Sequence, residues 1–272
     1  MLHRLTKRCL SLKCHSMGER NKYTEAVVLT VREQGENNRS VCAVSPETGI
    51  FYATLYGGPK SKMKSLVQPF NSGIMFIYDD ENRKLKKISD FDVKNFHTSL
   101  KESLYKMWAA NLAAEILMKT KCAGDDRAAY MLLKAFIDGL DAVDETSARA
   151  ATVRFLWRYL SLLGVQPDTE SCISCSQNLP YAGENSLSFY SPASNGFLCR
   201  ECAGKPKDGL TLSVTGEALH YLHAISTQTP GSVRRLPLSA ESCDNLRRIT
   251  FYLIEQAAGT RLLSLKSGYG IL

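Results

Sequence analysis

Thr24-Glu-Ala-Val-Val-Leu-Thr-Val31 is the stretch on which the fold of this chain turns. It is β-branched and apolar, and Gly35-Glu-Asn-Asn38 punctuates it as a turn punctuates a strand. Outward from it, Val41-Cys-Ala-Val44 follows, then a Pro46-Glu-Thr-Gly49 turn and Ile50-Phe-Tyr-Ala-Thr-Leu-Tyr56. Past the Gly57-Gly-Pro59 break come Gly73-Ile-Met-Phe-Ile-Tyr78, the polar turn Asp79-Asp-Glu-Asn82 and Leu85-Lys-Lys-Ile88. Five strands within residues 23–89 have the size and rhythm of a small barrel of the oligonucleotide-binding (OB) kind. Strand count alone fits an SH3-like barrel equally well.

From Phe96 the period becomes helical. Leu100, Leu104, Trp108, Leu112 and Ile116 recur every four residues. Asp125-Asp126 opens a second helix carrying Leu132, Phe136 and Leu140. Glu145 to Leu163 reads as a third, with Val153, Leu156, Trp157, Leu160 and Leu163 on one face and Arg154 and Arg158 off it. Gly164 and Pro167 end it. Two more helical segments are predicted near 215–227 and 239–257.

Length and composition set the class. The chain has 272 residues, 44% hydrophobic and 22% charged, an ordinary globular balance that excludes a largely disordered chain. No run approaches the roughly 18 apolar residues of a membrane helix; Met107 to Met118 is broken by Asn111 and Glu115. The formal charge is +7, and its excess is concentrated in residues 1–20, which carry +4. Such an excess fits a nucleic-acid partner and fits many proteins without one. The nine cysteines are an odd count, and Cys9, Cys14, Cys42, Cys122 and Cys243 are scattered without spacing, which argues for a reducing compartment.

Met1 to Gly18 holds Arg4, Lys7, Arg8 and Lys13, no acid, and interspersed leucines. Basic, acid-poor composition fits a transit peptide. The preferred expectation is an upstream extension outside the fold, with Met17 as the true beginning.

The remaining four cysteines carry chemistry. Cys172-Ile-Ser-Cys175 and Cys199-Arg-Glu-Cys202 are two CxxC pairs separated by 23 residues. Each pair brings two thiolates onto one tight turn, and four thiolates suit tetrahedral zinc. Ser188-Phe-Tyr-Ser191 reads as a strand and Asn195-Gly196 as the hairpin turn feeding the second pair, the pattern of a zinc ribbon. With every position filled by protein such a zinc, one per chain, is structural and activates no water. Other motifs fail. Gly57-Gly-Pro-Lys-Ser-Lys62 lacks the GxxxxGK[ST] frame of a phosphate loop, and Pro59 removes an amide donor. No Gly-rich dinucleotide loop follows a strand. His220 and His223 have no carboxylate at ligand spacing and are expected on a helix surface. No nucleophile or acid–base pair is evident, so catalysis is not expected; a zinc-ribbon nucleotide or NAD enzyme with an unrecognised motif is the alternative class.

What remains is binding. Arg32, Arg39, Lys60, Lys62 and Lys64 lie in or beside the barrel, and between Thr48 and Asp79 there are three lysines and no acid. Tyr52, Tyr56 and Phe70 flank this stretch and either stack on bases or fill the barrel core.

Several segments together resemble the bacterial RecO recombination-mediator family. They are Tyr23-Thr-Glu-Ala-Val-Val-Leu29, Gly35-Glu36 with Arg39, Gly57-Gly-Pro-Lys-Ser61, Gln68-Pro-Phe70, Phe155-Leu-Trp-Arg-Tyr-Leu-Ser-Leu-Leu-Gly-Val-Gln-Pro167, the four cysteines and Gly196-Phe-Leu-Cys199. The match runs in order over roughly residues 20–260. The family's loop after the third strand is usually richer in arginine, and residues 1–18 have no counterpart. The resemblance implies an α+β multidomain fold: an N-terminal OB-fold β-barrel, then a helical domain with an embedded four-cysteine zinc module. The expected boundaries are 1–18 for the extension, 19–90 for the barrel and 91–171 for the helices. The zinc module takes 172–208, and 209–272 is a C-terminal helical segment packing with the helical domain. The resemblance also implies binding of single- and double-stranded DNA, annealing of complementary strands, and work with RecR. Through these the chain is expected to help RecA displace single-strand-binding protein, whose acidic tail is contacted, in the bacterial cytoplasm. Carried over by position, Arg39, Lys60, Lys62 and Lys64 are the DNA contacts, with Arg32 beside them. Cys172, Cys175, Cys199 and Cys202 are the zinc ligands.

Overall fold

The structure is a computed structural model that describes residues 20–57, 61–181, 186–204 and 211–268. The expectation for residues 1–18, and the contact expected of Lys60, lie outside the described residues.

Five strands form the first unit: β1 (Asn21–Gln34), β2 (Asn38–Ser45), β3 (Gly49–Leu55), β4 (Ser72–Asp80) and β5 (Leu85–Asn95), with a short helix α1 (Met63–Leu66) between β3 and β4. They close into a barrel in the order β1-β2-β3-β5-β4. The β1–β4 pairing completes it, and β3 and β5 are its one parallel contact, with Thr54 opposite Lys87. This crossed order is that of an OB barrel and decides against the SH3-like alternative. β5 runs seven residues past the expected Ile88, to Asn95.

The apolar runs of β1 and β2 are buried without interruption. Ala26 to Leu29 are all buried, as are Val41 to Val44. Ala26, Val28, Val41 and Ala43 fill the barrel interior, while Val27, Leu29, Cys42 and Val44 belong to the core of the helical part. A strand covered on both faces reads as a continuous apolar run. That is the origin of the Ala-Val-Val-Leu string.

The covering helices are α2 (Thr98–Glu102), α3 (Leu104–Thr120), α4 (Asp126–Ala142) and α5 (Glu145–Leu162). Ser103, Asp125 and Asp144 cap the last three, each side chain accepting a backbone N–H three residues on. His97, buried at the junction, bonds the Phe70 carbonyl through Nδ1 at 2.7 Å and the Asp138 carboxylate through Nε2 at 2.8 Å, which ties the barrel to α4.

After α5 the chain forms a small sheet and then returns. β6 (Leu187–Ser191), β7 (Gly196–Leu198), α6 (Arg200–Ala203) and β8 (Leu212–Thr215) lead into α7 (Gly216–Thr227), α8 (Pro230–Val233), α9 (Ala240–Ala258) and α10 (Leu263–Ser267). The sheet order is β7-β6-β8. Tyr190, Phe197 and Val214 of this sheet join the same core as α3 and α5, so the cysteine module is part of the body. Glu115, nearly buried, accepts the N–H groups of Leu263 and Ser264 at 2.8 Å each and clamps α10 onto α3.

Between α3 and α4 the backbone is left-handed at four successive residues: Lys121 (φ 49°), Cys122 (56°), Ala123 (54°) and Gly124 (80°). Each non-glycine residue there costs roughly 1–2 kcal/mol. Burial of Cys122 against the barrel offsets that cost. Ala123 lies half-buried beside it. Ala123→Gly is therefore expected to stabilise the protein by about 1 kcal/mol, read as a higher midpoint in urea unfolding with an unchanged slope.

Candidate nucleic-acid interface and metal centre

Four thiols meet at one end of the small sheet. The Sγ atoms of Cys172, Cys175, Cys199 and Cys202 all lie within 4.8 Å of one another, and Cys175 and Cys199 are 3.8 Å apart. Four sulfurs each about 2.3 Å from a central ion stand about 3.8 Å apart, so the cluster can hold a tetrahedral metal. Local backbone builds it. Cys172 N–H donates to Gln177 O and Ser176 N–H to Cys172 O, with Ser176 left-handed at φ 61° to close the first turn. Ile173 N–H donates to Phe197 O, which docks that turn on the β6–β7 hairpin. Gly196 is required there: a Cβ would stand 2.9 Å from the Ile173 side chain. Burial opposes ionisation of Cys172, yet backbone N–H groups of Cys199, Cys175 and Ser174 pull its thiol down to about 6. A thiol already biased toward thiolate suits a metal ligand.

The barrel places the basic residues unequally. Arg32 on β1 is exposed and makes no ion pair among the described residues. Arg39 on β2 is engaged, its Nε 3.1 Å from Glu33 Oε1. Lys62, at the start of α1, is exposed, and Lys64 sits within that helix; neither has an acidic partner among the described residues.

The aromatic residues divide. Tyr52 is 62% exposed and Tyr56 also faces outward, so both are free to stack on bases. Phe70 is fully buried in the core beneath the helices, its N–H donating to Val28 O, and it is unavailable to a ligand. It sits after α1, where the chain turns back onto β1, and that turn drives it inward.

Strand order adds cations that the sequence reading passed over. Arg83, Lys84, Lys86 and Lys87 surround the β4–β5 turn. The parallel β3–β5 contact carries that turn to the end of β3, where Lys87 Nζ lies 5.6 Å from the Tyr56 ring centre. Lys86 is drawn to Asp79 at 3.7 Å. Their run is visible in sequence, but neighbouring Asp79 and Asp80 disguise it as a neutral turn.

A second basic site lies among α4, α5, α8 and α9. A cavity of about 750 Å³ is lined by Arg154, Arg158, Arg234 and Arg247, with Phe136 and Leu236 on its apolar wall. Arg154 donates to the Tyr221 hydroxyl at 2.7 Å and Arg247 is held by Asp244. Arg158 Nη2 is buried with no protein partner among the described residues. Burial, then the like charges of Arg154 and Arg234, press its guanidinium below the ordinary arginine value. A cluster of guanidinium groups over an apolar wall suits a ligand that is both anionic and apolar.

His220 is exposed on α7, and His223 packs on Tyr181 with its Nδ1 3.5 Å from Glu170. They form no metal cluster among the described residues.

Comparison with known proteins joins these features. Residues 17–96 match the family model described as Recombination protein O N terminal, and residues 101–266 match Recombination protein O C terminal. A DNA repair protein RecO of Exiguobacterium is 27% identical over 244 residues, covering 89% of this chain and 92% of the relative. One of Oceanobacillus iheyensis is 23% identical, covering 89% and 90%, and one of Bacillus pumilus is 24% identical, covering 89% and 91%. The two models together span the barrel, the helices and the cysteine module, and the chain belongs to the RecO family of DNA repair proteins.

Proposed function

We propose that this chain is a recombination mediator without a bond-making step. It binds single- and double-stranded DNA, anneals complementary strands, and with RecR helps RecA load onto DNA coated by single-strand-binding protein, in the cytoplasm. The observation that carries this reading is the uncovered part of the barrel surface, where Arg32, Tyr52, Tyr56 and Lys87 stand exposed while the adjoining stretch of β1 and β2 is sealed by helices. Annealing requires that phosphates of two strands be neutralised together, which cations on such a wall achieve by releasing counterions. Stacking on tyrosine is sequence-tolerant, so any pair of complementary strands is accepted. No described helix is long and apolar enough to cross a membrane.

The proposal assigns DNA contacts to Arg32, Arg39, Lys60, Lys62 and Lys64. It assigns the acidic tail of single-strand-binding protein to the arginine-lined cavity, whose charge and apolar wall support that match. It assigns one structural zinc to Cys172, Cys175, Cys199 and Cys202; when bound, zinc supplies folding free energy to a module with few apolar residues of its own. It keeps the division expected at residues 171 and 208, with the barrel unit extended to the end of β5.

Three measurements test these assignments. Replacing Lys60, Lys62 and Lys64 by Glu should weaken oligonucleotide binding at every sequence alike and flatten the slope of log affinity against log salt by roughly two units. Thermal stability should hardly change, and a slope equal to wild type removes DNA from this part of the barrel. Elemental analysis should find about one zinc per chain, and Cys199→Ser should lose it and lower the melting temperature. A metal-free protein with an unchanged melting curve excludes the structural zinc. A short synthetic peptide rich in Asp and carrying one aromatic residue should bind in a fluorescence anisotropy titration, and Arg154→Glu should weaken it at least tenfold. Equal affinity for both proteins moves the tail elsewhere.

A further inference from the structure

The exposed wall of the barrel continues beyond the barrel. Cys42 pairs with Thr30 on one side and Tyr52 on the other, so β1, β2 and β3 present one continuous surface here. Arg32 pairs with Ser40, two residues along β2 from Cys42, so the exposed guanidinium and the exposed Tyr52 ring stand on one face of the sheet. Cys42 Sγ lies 3.8 Å from Met118 Sδ, in the last turn of α3. The seam between barrel and helices therefore runs beside Tyr52, and across it stand Lys119 and Lys121, both exposed and neither in an ion pair among the described residues.

The left-handed turn makes this junction. Lys121 ends α3 with its N–H on Leu117 O, and the strained residues after it bring Cys122 down beside Cys42 and Ile50. Two acids follow, but Asp125 is used in capping α4. Asp126 is turned inward against Gly49, where a Cβ would overlap its carboxylate. Neither acid forms an ion pair with Lys119 or Lys121 among the described residues. Strained backbone that the surroundings hold in place gathers at binding sites, and here it carries a lysine to the edge of an aromatic and cationic platform.

We propose that single-stranded DNA lying on the barrel wall crosses the seam at Tyr52 and continues over the α3–α4 turn, with Lys119 and Lys121 contacting its phosphates. This rests on the barrel as the DNA face and lengthens the footprint past one barrel. The helical part then takes a share of the strand.

The full chain is titrated with salt against an oligothymidine of about twenty nucleotides, longer than the roughly 4–16 that one such barrel covers. The double substitution Lys119→Glu and Lys121→Glu should weaken binding and flatten the salt slope by about 1.4. Lys119→Gln with Lys121→Gln, which removes charge without adding any, should flatten it by the same amount. It also serves if the first variant melts early. Arg32→Glu with Tyr52→Ala is measured alongside as the barrel variant. Weakened binding by the barrel variant with a wild-type slope for the lysine variants overturns the extended path and leaves the barrel reading standing. Wild-type behaviour from both overturns both.

Discussion

The structure depends on one wall being buried twice. β1 and β2 each send alternate side chains into the barrel and into the helical core, and Val27, Leu29, Cys42 and Val44 make the second set. Burying a valine or leucine side chain is worth about 1.5–3 kcal/mol, so this wall contributes to both cores at once. Two small units that would each be marginal share it. His97 adds a polar tie at the same junction, bonded to a barrel carbonyl and to a carboxylate of α4.

The shared wall also decides which surface is left for a ligand. With the outer faces of β1 and β2 covered around Leu29 and Val44, the exposed side chains fall at the far ends of the strands and on β3. Arg32, Tyr52 and Tyr56 are found there. The β3–β5 contact then adds Lys87 to the same edge. The barrel offers a ligand what the helices leave open.

Charge is distributed by the same logic. More than half of the net excess of +7 lies in residues 1–20, and in the body of the chain many cations are spent in local pairs, as Arg39 with Glu33 and Arg248 with Asp244. What counts for an anionic partner is the residue left without a pair. Arg32 and Lys62 are such residues at the surface, and Arg158 is one inside a cavity. Exposed charges such as Arg32 and Lys62 add little stability.

Much of this was legible along the chain. Each barrel strand and each long helix announces itself by residue type and period, because those signals are local. α5 covers Glu145–Leu162 against a predicted Glu145–Leu163. The CxxC pairs are equally local, since each occupies a single turn, and the four thiols do converge. β8 was not foreseen: four residues are too short for a period to show, and they are a strand only because β6 lies beside them. The residue type of Phe70 fits stacking and core equally, and the return of the chain onto Val28 buries it. Arg154 and Arg158 were assigned to a helix face away from the core, and packing against α8 and α9 made that face a cavity. By itself the sequence determined the barrel strands, the long helices, their order and the four cysteines that could hold a metal, since these depend on neighbours within a few residues. The strand order that separates an OB from an SH3-like barrel, the doubly buried wall and the pairing or isolation of each charge were decided only by tertiary structure. They depend on groups far apart in the chain that meet when the core closes.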